Sequence, residues 1–304
     1  MTALNTLLLL SLSIASTQAL SAEFSQKLDL QTRVDDRSSS NLRYQYRARY
    51  YPSLSFDNNW SVNGFVVTGD DFSSSHNTFD DGSADYFYIR RVFVRHEDAN
   101  GKTEIGIIPT FKGAVSSSGL SKDGWIKGIR HVVRNKNKGA FEIVVGQLDN
   151  LSPNNAIRLA DDLNYIELEY SSAISRQWSY ELSLERMTES NFARTELRYA
   201  YSQSQTLFAE LVSKLGSSKI KSVLGVEGEF RFADIPFEYF AHYSHVSDDF
   251  GARAELTEDF LGTGNGISAE LESMFADSSF GWFVRFDAVE SQSRFLAGVK
   301  WSFK

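Results

Sequence analysis

Apolar and polar residues alternate in one short segment after another along most of this chain. In segment 178–185, WSYELSLE, every second residue is apolar and each residue between is Ser or Glu. Successive side chains of a β-strand point to opposite faces, so a period of two gives a strand one apolar and one polar face. We find no convincing segment with the period of roughly 3.6 residues that marks an amphipathic helix. The alternation therefore predicts an all-β fold.

Sixteen segments of this kind can be placed between clusters of Gly, Ser, Asn, Asp or Pro, which favour turns. The predicted strands lie near residues 24–34, 42–51, 59–68, 85–95, 103–110, 125–134, 140–148, 163–171, 177–186, 192–202, 205–214, 220–232, 235–245, 266–275, 279–288 and 293–303. Consecutive strands separated by short turns are typical of a meander of antiparallel hairpins.

A strand with one apolar face fits either a soluble β-sandwich, which buries that face against a second sheet, or a membrane barrel, which turns it to lipid. Aromatic residues make up 13% of the chain, yet its mean hydropathy is −0.30. This combination is typical of membrane barrels, because half of each strand is polar. We therefore predict a transmembrane antiparallel up-and-down β-barrel of about sixteen strands, and fourteen or eighteen would also fit the pattern.

Connection lengths support this topology, since bacterial barrels join their strands by short periplasmic turns and longer outer loops. The long connections, 69–84, 111–124, 149–162 and 246–265, all fall at one predicted end of the barrel. Four of the five tryptophans fall near strand ends on the periplasmic side, and Trp125 falls near an outer strand end. Aromatic side chains at both ends are expected where strands cross the membrane interfaces.

The N-terminus predicts export. An apolar run, residues 7–14, leads to the small residues of segment 19–22, which suit cleavage by a signal peptidase. We predict a cleaved signal peptide over 1–22 and a single barrel domain over 23–304. With no cysteine, the chain has no disulfide scaffold, and a net charge of −8 argues against a nucleic-acid partner.

These features resemble the outer-membrane porins of Gram-negative bacteria, many of which are sixteen-stranded barrels. The last strand, 295–304, ends on the aromatic Phe303, as porins commonly do, although Lys304 follows it. Segment 88–95, YIRRVFVR, is also similar to the paired-arginine strand of phosphate-selective porins. The resemblance implies a passive channel in the bacterial cell outer membrane, in contact with lipid and lipopolysaccharide, without a cofactor. It further implies a homotrimer.

The same resemblance implies that the third outer loop folds inward and narrows the pore. Here that loop is 111–124, and its charges are Lys112 and Lys122. An exposed loop rich in Gly and Ser is the alternative reading of the same segment.

The alternation also assigns pore-lining charges. The basic set comes from the first half of the chain: Arg33, Arg43, Arg47, Arg49, Arg91, Arg95 and Arg130. The acidic set comes from the second half: Glu167, Glu169, Glu181 and Glu185. Since consecutive strands follow one another around the wall, a basic arc is expected to face an acidic arc. Such a field favours ions and small hydrophilic solutes over apolar ones.

Two alternatives remain open from the sequence. A barrel protease or lipid hydrolase would need catalytic groups, and the best constellation joins His76 and Asp80-Asp81 with His245 and Asp248-Asp249 above the outer rim. The other alternative is a structural or adhesive barrel whose lumen is plugged by pairs between arginines and carboxylates. We expect no catalytic residues and no specific metal site, because neither a nucleophile motif nor a calcium-binding loop is present in the sequence.

Overall fold

The structure is a computed structural model that describes residues 21–56, 58–69, 75–79, 87–110, 124–135, 139–148, 152–255, 262–275 and 279–304. Residues 1–20 lie outside this part of the chain, so the signal peptide over 1–22 stays a prediction.

The described residues form seventeen strands, one of which has only two residues. They are β1 (Ala22–Arg37), β2 (Ser40–Phe56), β3 (Trp60–Thr68), β4 (Asn77–Thr78), β5 (Phe87–Asp98), β6 (Gly101–Pro109), β7 (Trp125–Arg134), β8 (Ala140–Gln147), β9 (Tyr165–Ala173), β10 (Trp178–Met187), β11 (Ser190–Ala200), β12 (Gln205–Lys214), β13 (Ile220–Phe232), β14 (Ile235–Val246), β15 (Gly264–Met274), β16 (Phe280–Val289) and β17 (Gln292–Phe303).

The sixteen long strands form one closed antiparallel barrel. Each long strand pairs with its neighbour in the chain, and β17 pairs with β1 from Leu28 opposite Phe303 to Arg37 opposite Arg294. The short strand β4 extends the wall beyond the end of β3 by pairing with β2. The prediction of sixteen strands in an up-and-down barrel is confirmed, and each predicted segment overlaps one long strand.

The connections divide between the two ends of the barrel as the sequence predicts. The long ones, 69–86, 110–124, 148–164 and 247–263, lie at one end, and turns of two to five residues lie at the other. In one of the two-residue turns Ala233 and Asp234 both have positive φ, 48° and 64°. Positive φ at both central residues is the geometry that joins twisted antiparallel strands.

The outward faces of the strands are apolar. Leu182 and Leu184 of β10, Leu224 of β13 and Phe295 of β17 are between 43% and 59% exposed, although all are large apolar side chains. A soluble protein rarely exposes apolar residues over its whole circumference. The barrel therefore presents a continuous apolar band, as a barrel that crosses a lipid bilayer does.

Helical structure is confined to the connections in the described residues. A single 3-10 turn covers Pro153–Asn155, and one short helix, α1, covers Ala252–Glu255. No helix in the described ranges has the length and apolar character needed to cross a membrane.

One side of the barrel interior holds an apolar cluster near the end with the long connections. Met187, Phe192 and Val212 belong to it, and they share strand faces with charged residues that pair in the lumen. Trp125 is also in the cluster and is 1% exposed, so the expectation of an interfacial tryptophan is wrong at this position. Among the described residues, an open cavity lies on the other side of the interior, beside β1, β2 and β17.

The closing seam depends on a glycine. A Cβ at Gly298 in β17 would lie 2.3 Å from the carbonyl oxygen of Thr32 and 2.7 Å from the ring of Phe283. We expect Gly298→Val to displace this ring and to lower the free energy of unfolding by about 1–3 kcal/mol, as overpacking does. Urea unfolding in detergent micelles measures the change. Ala297→Val, on the lipid-facing side of the same strand, is the matched control and should change stability little.

Candidate functional site: the barrel lumen

The barrel encloses a cavity of about 920 Å³ next to the seam between β17 and β1. Its walls are β1, β2 and β12 to β17, and His76, from the connection that follows β3, also lines it. Seven basic residues line it: Lys27, Arg33, Arg47, Arg49, Arg285, Arg294 and Lys300. Six acidic residues line it: Asp29, Glu227, Glu229, Glu238, Glu270 and Glu272.

The arginines from β1 and β2 form the basic wall of the cavity. Arg33 donates from Nε to Oε1 of Gln45 at 2.8 Å, which holds its guanidinium against β2. Arg47 donates from Nη1 to Oγ of Ser75 at 3.5 Å. Arg49 occupies the next inward position of β2 and lines the same cavity. Successive arginines on one face of β2 thus concentrate positive charge at the cavity surface.

His76 lies among these arginines. Its Nε2 is 3.1 Å from Oε1 of Gln31. Burial and the positive charges of Arg47 and Arg33 hold the pKa of the His76 imidazole well below its usual range. His76 is therefore neutral at pH 7 and adds a hydrogen-bonding group, not a charge, to the basic wall.

The acidic wall faces the cavity from β13, β14 and β15. Glu229 lies directly opposite Glu238, and Glu238 lies directly opposite Glu272 in the next strand pair. Lys300 of β17 forms an ion pair with Glu272 at one end of this row. Like charges in adjacent register repel, so the row carries a concentrated negative potential. Glu270, two residues from Glu272, extends the wall.

Four of the predicted pore-lining arginines lie in other contacts outside this cavity. Arg43 is 2.6 Å from Asp35, and Arg95 is 2.6 Å from Glu104. Arg130, which is nearly fully buried, is also 2.8 Å from Glu104. The guanidinium of Arg91 lies 3.8 Å above the ring of Phe65, where a cation is attracted by the ring face.

The predicted glutamates belong to a second network on the β9 to β12 side. Arg194 of β11 contacts four carboxylates: Glu169 at 3.8 Å, Glu210 at 2.8 Å, and both Glu181 and Glu196. Glu185 pairs with Arg253 at 2.9 Å. Glu167 accepts a hydrogen bond from the hydroxyl of Tyr165. All four predicted glutamates thus face the interior, but they do not line the open cavity.

Of the predicted pore-lining residues, the cavity brings together only Arg33, Arg47 and Arg49. Arg285 and Arg294, which also line the cavity, were missed in the sequence. Arg294 and Lys300 are separated by an even number of positions on β17, so they lie on the same face of that strand. The alternation of the last strand therefore already indicated that Arg294 faces the lumen. The remaining predicted residues form ion pairs and other contacts outside the cavity. Those contacts depend on the register between strands, which the sequence pattern does not give.

The paired arginines of segment 88–95 lie at an irregularity of the sheet. The pairing of β3 with β5 shifts between Phe65 and Val66, where Arg91 lies opposite Phe65 and Ile89 lies opposite Val66. At this shift β5 has one more residue, Arg90, than the paired stretch of β3, which is a β-bulge. Arg90 and Arg91 are consequently both buried, although strict alternation would place them on opposite faces.

Two further expectations concern outer segments. Lys112 and Lys122 lie outside the described residues, so the inward fold of loop 111–124 stays a prediction. His76 and His245 do not converge. His76 contacts Gln31 of β1 inside the barrel, whereas His245 is 3.0 Å from Asn265 of β15 on an exposed surface. Asp80 and Asp81 lie outside the described residues.

No protein-family model matches the sequence. No curated protein matches it either.

Solved structures share the fold. A triple mutant of the Rhodopseudomonas blastica porin has a TM-score of 0.64 and 10% identity, over 92% of this chain and 100% of the porin. Another variant of that porin has a TM-score of 0.66 and 9% identity with the same coverage. OmpT, an outer membrane protein of Vibrio cholerae in trimer form, has a TM-score of 0.56 and 12% identity, over 93% of this chain and all of OmpT. The barrel therefore has the fold of these outer-membrane proteins.

Proposed function

We propose that this protein is a passive porin of the bacterial outer membrane, which conducts ions and small hydrophilic solutes through a charged lumen. The cavity of about 920 Å³ carries this proposal, because seven basic and six acidic side chains line it, with arginines concentrated on β1 and β2 and glutamates on β13 to β15. A polar interior inside an apolar outer band is the arrangement of a water-filled membrane channel. The porin fold of the R. blastica protein supports the same conclusion.

The charge separation defines the solutes that would pass. Positive potential from Arg33, Arg47 and Arg49 opposes negative potential from Glu238 and Glu270. The low-dielectric wall of the barrel strengthens the electric field across the cavity. This field stabilises ions and dipolar solutes, whereas it does not stabilise apolar solutes. We propose no cofactor and no catalytic step. The separation of His76 from His245 supports a channel over a barrel enzyme.

Purified, refolded protein is expected to produce stepwise conductance in a planar lipid bilayer. The physical reason is that hydrated ions can occupy the charged cavity at little cost. Heat-unfolded protein in the same detergent is the control and should produce no steps. A barrel that is correctly folded by circular dichroism but gives no conductance would contradict the channel and favour a plugged, structural barrel.

The proposed partners are outer-membrane lipid and lipopolysaccharide on the apolar band, and two further copies of the chain. OmpT of V. cholerae is described in trimer form, which supports a homotrimer here. Light scattering in a mild detergent, with the detergent mass subtracted, tests this assembly. A mass of one chain, at most the 34.2 kDa of the whole sequence, would contradict the trimer but would not bear on the channel function.

A further inference from the structure

A segment after β14 turns back over the rim and enters the barrel. We call residues 247–255 the strap. The amide of Ser247 donates to the carbonyl oxygen of Ile220 at 2.9 Å. Nζ of Lys219 donates to the carbonyl oxygen of Asp248 at 2.8 Å, and Nζ of Lys214 donates to that of Asp249 at 3.1 Å. The strap therefore runs from β14 across the outer ends of β13 and β12.

The middle of the strap is anchored in the apolar cluster of the lumen. Phe250 is fully buried, and its ring centroid lies 5.3 Å from that of Phe192 on β11. Gly251 follows with a φ of 88°, a conformation that glycine adopts without strain. This turn directs the next residues into the barrel, where α1 begins at Ala252.

The last part of the strap places a positive charge, that of Arg253, inside the barrel. Arg253 is fully buried, and its Nε lies 2.9 Å from Oε2 of Glu185 on β10. Its Nη2 lies 4.0 Å from Oε1 of Glu210 on β12. Both glutamates are also almost completely buried. A buried carboxylate is costly unless a cation compensates it, so Arg253 offsets negative charge that the strands alone leave in this half of the lumen.

We propose that Arg253, held in the lumen by the strap, lowers the cation preference of the channel. It neutralises Glu185 and shares Glu210 with Arg194, so the β10 to β12 side of the lumen contributes less negative potential to the ion path. The selectivity is then set mainly by the cavity beside β1, β2 and β17. This inference rests on the proposed channel function.

Arg253→Gln is expected to raise the cation-to-anion permeability ratio about fourfold at low salt. By Coulomb's law in water, one uncompensated charge about 10 Å from a monovalent ion changes the local concentration of that ion about twofold, in opposite directions for cations and anions. The reversal potential under a salt gradient measures the ratio. Glu185→Gln should shift the ratio in the opposite direction, which keeps the test decisive if one variant fails to fold.

Arg158→Gln is the matched control, because Arg158 is an exposed arginine of another outer connection. The cation-to-anion permeability ratio of Arg158→Gln should equal that of the wild-type protein. Wild-type ratios in both Arg253→Gln and Glu185→Gln, with folded barrels, would overturn the inference while the channel function stands.

A second readout does not need conductance. The chain has no cysteine, so Ser183→Cys, beside Glu185 on β10, introduces a single thiol. A membrane-impermeant cationic thiol reagent should modify this thiol at least about tenfold faster when Arg253→Gln is added, because a cation is no longer repelled and the strap end is loosened. An equal rate in both backgrounds would overturn the role of Arg253 even if the wild-type protein gave no current.

Discussion

Replacing Arg194 with methionine is expected to lower the free energy of unfolding of the barrel by about 3–5 kcal/mol, the cost of removing one partner from a buried charge network. Arg194 is 2% exposed and contacts carboxylates from four strands. Glu181 lies opposite Glu196, and Glu196 lies opposite Glu210, in consecutive strand pairs. Without the guanidinium these three carboxylates repel one another directly.

Urea unfolding in lipid vesicles measures this loss. Arg231→Met is the control, because Arg231 is exposed near the opposite end of the barrel. The triple variant Arg194→Met, Glu181→Gln and Glu210→Gln should recover most of the lost stability, since it removes charge from both sides of the network. An Arg194→Met barrel as stable as the wild type would mean that the carboxylates are not held together by this arginine.

Neutralising Arg47 and Arg49 together is expected to shift the channel toward cations, with a rise on the order of tenfold in the cation-to-anion permeability ratio at low salt. Both side chains line the cavity, where seven basic residues face six acidic ones. Removing two positive charges reverses that balance. The effect should shrink as salt is raised, because screening shortens the range of the field.

Arg43→Gln is the matched control for this pair. Arg43 belongs to the same face of β2, but its guanidinium pairs with the buried Asp35 and does not line the cavity. The shift in reversal potential should therefore be small for Arg43→Gln and large for the double variant. Equal shifts would show that total charge, and not the cavity wall, controls the permeability ratio.

The strands could be predicted because the alternation is a local property. In β10 every second residue from Trp178 to Leu184 is apolar, and Leu182 and Leu184 are exposed to the outside while Ser183 and Glu185 are buried within. A strand in a membrane barrel has lipid on one side and the polar lumen on the other, so its residues alternate between apolar and polar. The connection lengths then fixed which ends of the strands share a side of the membrane.

The contacts of the lumen could not be predicted in the same way. The bulge at Arg90 depends on how β3 and β5 pair, and it buries two consecutive arginines that strict alternation would separate. The four carboxylates around Arg194 come from four strands, so their convergence depends on registers that no single strand encodes.

By itself the sequence determined the all-β class, a count of about sixteen strands, most of their inward and outward faces and the end at which the long connections lie. Only the tertiary structure decided which charges form the open cavity, which pair on the far side of the lumen, and that the strap carries Arg253 inside. The physical reason is that a period of two is imposed on each strand by its immediate surroundings. Charge pairing across the lumen instead depends on barrel closure, strand register and the path of a connection, which join residues far apart in the chain.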